Sequence, residues 1–362
     1  MARGGVDLTV AGAGVFGLSV AWAAVRRGAR VRVVEAARIG AGASGGLVGA
    51  LAPHAPDRWG TGQAVQLDAL LAAPDWWAAV EQASGRSAGY ARDGRLQPLP
   101  DAAAVARAEA RAEAAALRWQ GRAAWRILPA PAGWAPASAT GLVVLDTLSA
   151  RLHPRLALAA LAAAVAAAGG TIDEGAGVDA AGRAAGPVVW ATGAAGLADF
   201  GRIGGRIGGG TGAGMGGAAA GGGEKGQALA VALDRAGAPQ IAAPGLHIVP
   251  HADGTVAIGS TSERVWDDPA ATDAQLDALH ARALALCPAL AGAPVVARWA
   301  GLRPRAATRL PVLGAWPGRP GHFLANGGFK TGFALAPWAA EALAALILDG
   351  DDSRIPDAFR AV

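Results

Sequence analysis

Three glycines at Gly12, Gly14 and Gly17 follow a short apolar stretch, and an acid, Glu35, stands eighteen residues further on. The spacing suits a chain that must turn sharply, bring its backbone against a phosphate and pack a helix on a strand. Gly12 permits the turn, Gly14 the close approach and Gly17 the packing, while the helix N-terminus favours negative charge. Glu35 can accept hydrogen bonds from ribose hydroxyls. The chemistry this predicts is capture of a dinucleotide pyrophosphate. A second small-residue run, Gly40-Ala41-Gly42-Ala43-Ser44-Gly45-Gly46, supplies backbone donors and little bulk, so it could pass close under a flat ring. The glycine pattern alone does not separate NAD from FAD.

The elements that must hold these residues are legible nearby. Leu8-Thr9-Val10-Ala11 predicts a buried strand, Val15 to Arg27 a helix closed by Gly28, and Val31–Val34 a second strand parallel to the first. Leu8 to Val25 is also an uncharged, mostly apolar run of 18 residues, just long enough for a membrane span or a signal segment. Its three glycines favour strand, turn and buried helix instead, and no other stretch is expected to approach membrane length. Helices are predicted over 64–83, from about Ala102 to Trp119 behind an Asp101 cap, and from His153-Pro154 to Ala168. Val188–Ala191 predicts an apolar strand running into Thr192-Gly193. Gln227–Val231, Leu246–Val249, Thr255–Gly259 and Val295–Trp299 predict shorter, alternating strands. Thr272 and Gln275 have capping-box spacing ahead of another helix. A last helix from about Phe333 to Leu348 tolerates Pro337 only within its first turn. Residues 201–223, dominated by small side chains, predict a glycine-rich flexible loop rather than a phosphate loop.

Composition narrows the class. The 362 residues are 52% hydrophobic and 17% charged, which excludes wholesale disorder. A lone cysteine, Cys287, excludes a disulfide framework and a cysteine-built metal site, and fits a reducing, cytoplasmic location. The formal charge of +4 is too small to argue for nucleic-acid binding. The histidines show no shared ligand spacing, so no metal is expected.

Gly12–Gly17, Glu35 and Gly42-Ala43-Ser44-Gly45 resemble the start of the D-amino-acid oxidase superfamily of FAD enzymes. Trp299-Ala300-Gly301-Leu302-Arg303-Pro304, Leu310-Pro311-Val312-Leu313-Gly314 and the run from Asn326-Gly327-Gly328-Phe329-Lys330-Thr331-Gly332 to Pro337 resemble its glycine-oxidase branch in order and spacing. Gly226-Gln227 and His247-Ile248-Val249-Pro250 fall where that branch places its sheet. The resemblance implies an α/β fold: a Rossmann-type FAD-binding domain (1–80, 141–200 and 300–362) with a discontinuous α+β substrate domain on an antiparallel sheet (81–140 and 224–299). It implies non-covalent FAD, held by Gly12, Gly14, Val15, Phe16, Gly17, Glu35, Ala43, Ser44, Gly45, Thr192, Gly193, Gly327, Gly328, Phe329, Lys330 and Thr331. It implies oxidation of a small amino acid or N-substituted glycine by hydride transfer, with dioxygen as acceptor.

Arg303 is the expected carboxylate clamp, because a permanently charged planar fork suits bidentate capture. Lys330 stands where that branch commonly has an arginine, and keeps the charge without the fork. His247 stands where relatives often carry a tyrosine that contacts the carboxylate, and a plain strand position explains it equally well. His54 could border the ring. Backbone N–H groups at Gly327-Gly328 could stabilise negative charge on a reduced flavin. The expected partner is a small amine or amino acid, with no membrane and no nucleic acid, and a homo-oligomer is open. Two other readings stay open: a tRNA wobble-uridine-modifying FAD oxidoreductase, and a catalytically defective flavoprotein.

Overall fold

A computed structural model of the chain describes residues 5–177, 186–202, 205–206 and 220–362. Among these, two large sheets dominate, beside a two-stranded pair of β3 (Ala50–Leu51) with β7 (Ala150–Arg151) and the helix α3 (Ala102–Trp119). The first has six strands in the order β15-β16-β9-β1-β2-β8. Its members are β1 (Leu8–Ala11), β2 (Val31–Val34), β8 (Thr171–Asp173), β9 (Val188–Trp190), β15 (Val312–Ala315) and β16 (His322–Asn326). All pairs are parallel except β15 with β16. Every residue of β1 is buried, as a central parallel strand requires. All eleven residues of α1 (Val15–Val25) are buried as well. This helix packs against α4 (Pro154–Ala167) and α7 (Gly332–Asp349), and α2 (Thr61–Ser84) packs against the same two. The apolar run 8–25 is thus strand, turn and core helix.

The expectation that no other stretch reaches membrane length is corrected by α7, which is long and apolar enough to cross a membrane by length and composition. Here its Ala and Leu residues lie in the core shared with α1. Pro337 is the sixth residue of α7, beyond the first turn where the sequence would tolerate it. Burial of the surrounding turns overrides a local penalty of about 3 kcal/mol.

The second sheet has eight strands in the order β14-β10-β13-β12-β11-β4-β6-β5. It comprises β4 (Arg95–Pro98), β5 (Trp125–Pro129), β6 (Leu142–Asp146), β10 (Gly221–Ala232), β11 (Gln240–Ala243), β12 (Leu246–Pro250), β13 (Thr255–Gly259) and β14 (Val295–Ala306). It is antiparallel except for β11 with β4. Residues 142–146 and 300–306, grouped with the nucleotide-binding residues on sequence grounds, are hydrogen-bonded into this sheet. The segment 201–223, expected as a loop, is regular at its two ends. Gly201 and Arg202 end α5 (Gly193–Arg202), and 221–223 open β10, paired with β14. Its residues 203–204 and 207–219 lie outside the described residues. The cap of α6 (Ala274–Leu286) is Asp273, one residue beyond the expected Thr272; its carboxylate accepts from the Gln275 N–H at 2.9 Å.

Alternation sorts the two faces of this sheet. Leu229, Val231, Ile248, Val256 and Ile258 pack with Leu276 and Leu279 of α6. Their neighbours on the other face are small: Ala228, Ala230 and Ala257, with Trp299 and Leu47 beside them. That face looks toward the first sheet and leaves room for a ligand.

Candidate active site

A cavity of about 980 Å3 runs from the glycine turn after β1 to the small-residue face of the eight-stranded sheet. This lies at the top of the range for ligand sites, roughly 300–1,000 Å3. At one end the turn has the geometry its glycines predict. Gly12 has φ +105, and a Cβ there would meet the Ala191 carbonyl oxygen at 2.4 Å. A Cβ at Gly17 would lie 1.9 Å from the Gly12 carbonyl oxygen. The Glu35 carboxylate accepts from the Ala13 N–H at 2.8 Å and the Ala37 N–H at 3.0 Å, pinning the turn to the end of β2. Ser44, in a short 3-10 turn, accepts from the Val15 N–H at 3.1 Å and so ties the second small-residue run to the start of α1.

Of the residues expected to hold the cofactor, Gly12, Gly14, Val15, Phe16, Glu35, Ala43, Ser44, Thr192, Gly193, Gly328, Phe329, Lys330 and Thr331 line the cavity. Gly17, Gly45 and Gly327 lie behind the lining. Gly17 permits helix packing, a Cβ on Gly45 would meet the Gly40 carbonyl oxygen at 2.1 Å, and Gly327 takes φ +76. Asn326, which sequence reasoning missed, organises the far wall. Its Nδ2 donates to the Gly193 carbonyl at 2.9 Å and its Oδ1 accepts from the Gly327 N–H at 2.8 Å, joining the turns after β9 and β16. Its position just before Gly327-Gly328 was the available signal.

At the other end, Arg303 and His247 both line the cavity. The register puts His247 opposite Gly259, Gly259 opposite Ala228, and Ala228 opposite Trp299. Arg303 lies four residues beyond Trp299 on β14, hence on the same face. Arg303 is 8% exposed. Its Nη1 donates to Ser260 Oγ at 2.6 Å, and its Nη2 to the Thr261 carbonyl at 2.6 Å, Ser262 Oγ at 3.2 Å and the Lys225 carbonyl at 3.2 Å. Its Nε is buried without a hydrogen-bond partner. Burial pulls its pKa down while Glu224 and Glu263 pull it back, and an arginine so placed keeps its charge at neutral pH.

Lys330 lies beside Phe329, whose ring also has Arg303 and Arg305 within 6 Å of its centroid. Burial, then the Arg303 charge, lowers the Lys330 pKa. His247 is pushed down to about 4 by burial and by the nearby Arg95 and Lys330 charges, so it is neutral at pH 7. His54 lines the cavity too, held through its N–H by Gln66 Oε1 at 2.9 Å. Ser260, Gln66 and Arg95 also line it, and no spacing in the sequence marks them. Cys287 is buried away from the cavity lining.

His251 supports the site from outside. It is 1% exposed, its Nε2 lies 3.0 Å from the Leu47 carbonyl, and Leu47 lines the cavity. Burial, then neighbouring His153, pushes its pKa down to about 4. The folded state therefore binds fewer protons here than the unfolded chain between pH 6.5 and 4. Stability from this residue is complete above pH 6.5 and lost as pH falls through that window, by up to about 3 kcal/mol. Thermal melts from pH 7 to 4 should show a progressive fall in Tm that is smaller in a His251→Phe variant; equal slopes would refute this.

A six-stranded parallel-based sheet with a glycine turn at its centre, facing a second sheet across a cavity, defines the class of dinucleotide-binding oxidoreductases with a separate substrate-side sheet. By the match of residues 7–346 to the family model described as "FAD dependent oxidoreductase", the chain belongs to that D-amino-acid-oxidase-type family, whose cofactor is FAD. Glycine oxidase of Pseudomonas putida is 41% identical over 97 residues, 27% of this chain and 27% of that protein. Glycine oxidase of Pseudomonas aeruginosa is 39% identical over 107 residues, 30% and 29% of the two chains. The aligned parts thus span less than a third of these relatives. The crystal structure of glycine oxidase from Geobacillus kaustophilus superposes with a TM-score of 0.78 at 24% identity, covering 94% of each chain. That of iminodiacetate oxidase from a Chelativorans species gives 0.78 at 19% identity, covering 98% of this chain and 99% of that one. These likenesses show the fold.

Proposed function

We propose that the protein oxidises the carbon–nitrogen bond of a small amine bearing a carboxylate, such as glycine, an N-substituted glycine or a D-amino acid. The observation that carries this reading is Arg303, a buried guanidinium held rigidly on the substrate-side sheet and opening into the same cavity as the glycine turn. FAD, when bound, would supply the two-electron acceptor for the substrate Cα–H, with dioxygen as the final oxidant. The turn at Gly12–Gly17, Ser44 and Glu35 would hold its adenosine and phosphates, and the wall at Thr192, Gly193 and Gly328 would border its ring.

Arg303 binds the carboxylate and sets the direction of the Cα–H bond. The small side chain at Ala228 leaves room on this face for a planar group, while Gly301 makes way for the Trp299 indole that lies across it. Neutral His247 donates or accepts a hydrogen bond without adding charge. The amine nitrogen enters unprotonated and its lone pair assists departure of the hydride. Water then adds to the imine, releasing an oxo acid and an amine or ammonia, with one dioxygen reduced to hydrogen peroxide. No side chain needs to act as base; positioning and electrostatics carry the rate. The test is anaerobic bleaching of the flavin by glycine, sarcosine and D-alanine, followed by peroxide release in air. A flavin that responds to none of a broad panel of amino acids would overturn the proposal, and tight, salt-sensitive tRNA binding would favour the RNA-modifying alternative.

Lys330 gives a pH signature. Its lowered pKa means that its contribution to carboxylate binding is lost below the usual lysine range as pH rises. In Lys330→Arg the alkaline limb of kcat/KM should move to higher pH; an unmoved limb would remove Lys330 from substrate binding.

A further inference from the structure

We infer that Gln227 is the positioning residue that fixes Arg303, and through it the affinity for the substrate carboxylate; this rests on the role of Arg303 proposed above. Three of the four hydrogen bonds made by the Arg303 guanidinium go to residues 260–262, a connection with no regular structure of its own. The nearest carboxylate, Glu224, is 3.9 Å away. The direction of the fork therefore depends on what holds that connection.

Gln227 holds it. The residue is fully buried on β10. Its N–H donates to Thr261 Oγ1 at 2.8 Å, and its carbonyl accepts from the Thr261 N–H at 3.2 Å. Its Nε2 donates to Glu263 Oε1 at 3.0 Å and Asp273 Oδ1 at 2.8 Å, and its Oε1 accepts from the Asp273 N–H at 2.8 Å. One carboxamide thus joins β10, Glu263 at the end of the connection that Arg303 grips, and the cap of α6. Glu263 is further tied to Lys225 by reciprocal backbone bonds of 3.0 and 2.9 Å. The buried Lys225 ammonium lies 3.5 Å from Glu263 and 3.4 Å from Asp273.

The side chain must be an amide. Two carboxylates call for two donors and a backbone N–H calls for an acceptor, and a carboxamide supplies both. Glutamate would add a third negative charge. Methionine would leave the buried Glu263 carboxylate without its amide donor. Gly226, next in the chain, completes the arrangement: a Cβ there would lie 2.5 Å from Arg303 Cζ, so the guanidinium can cross β10 only over a glycine. Gln227, Glu263 and Asp273 are not in the cavity lining, so their influence on a ligand passes through Arg303.

The experiment uses flavin-loaded enzyme, with acetate as a minimal carboxylate probe read by its perturbation of the flavin spectrum. In Gln227→Met, KM for the amino acid and Kd for acetate should each rise at least about tenfold, while kcat at saturation falls less than threefold. Gln227→Glu should show the same rise at neutral pH and recover as pH is lowered toward 5. The double variant Q227M/R303M should have the KM of R303M within about twofold, because the two changes act on one interaction. Should Q227M not fold, Q227E and its pH dependence decide. An unchanged KM and acetate Kd, or effects that multiply in the double variant, would overturn the inference. Acetate binding to the wild type with an unresponsive Gln227 variant removes only Gln227. No acetate binding to the wild type removes the role of Arg303 and this inference together.

Discussion

Arg303→Met is expected to raise KM for a carboxylate-bearing amine by roughly 100- to 1,000-fold, with a smaller loss in kcat. Truncating one partner of a buried, hydrogen-bonded charge pair costs about 2–5 kcal/mol, and each 1.4 kcal/mol is tenfold. The upper part of that range applies here. The guanidinium is already desolvated and already oriented by four protein acceptors, so a bound carboxylate meets a donor that needs no further ordering. Arg303→Lys should recover only part of the loss, since a single ammonium cannot both reach the 260–262 connection and donate to the carboxylate. The flavin spectrum should be unaltered, separating loss of substrate from loss of cofactor. A KM within threefold of wild type would remove Arg303 from the site.

Gly17→Ala, a change of one methyl group, is expected to abolish flavin retention. The added carbon would lie 1.9 Å from the Gly12 carbonyl oxygen and 3.3 Å from Ala191 Cβ. Neither neighbour is the movable end of a side chain, so α1 must shift off β1 and open the turn that faces the phosphates. Overpacking of this kind costs about 1–3 kcal/mol and sometimes more. The measurement is the ratio of flavin to protein absorbance after gel filtration, expected below about a tenth of wild type. Gly28→Ala is the comparison. Gly28 also has a positive φ, +85, but a Cβ there meets nothing within 4 Å, so only local strain of about 1–2 kcal/mol arises and flavin should be retained. Equal flavin content in both variants would show that the glycine spacing at 12–17 does not serve the cofactor.

Much of the first sheet could be read from local pattern. The strand, turn, helix and strand over 8–34 fall within one or two residues of their expected bounds, because burial on both faces and the glycine turn leave a strong local mark. The helix Ala102–Trp119 begins after its Asp101 cap, whose carboxylate accepts from the Ala104 N–H at 2.6 Å. Reading was poorer where tertiary packing outweighs local preference. Pro337 stands inside α7, and β10 runs out of a glycine-rich segment because β14 pairs with it in register from Gly221 to Ala230. Strands β4, β5 and β6 carried no alternation strong enough to announce them.

The sequence by itself determined the class of cofactor site, because a pyrophosphate turn is built from contiguous residues whose glycines have no substitutes. It also determined the faces of β10 and β13 in the second sheet, through alternation of small and large side chains. Only the tertiary structure decided that Arg303 would lie across Gly226, that Asn326 would join the turns after β9 and β16, and that Gln227 would tie three segments behind the site. Those contacts link residues tens to more than a hundred positions apart and depend on which strand edges meet, a choice made by the burial of the whole sheet.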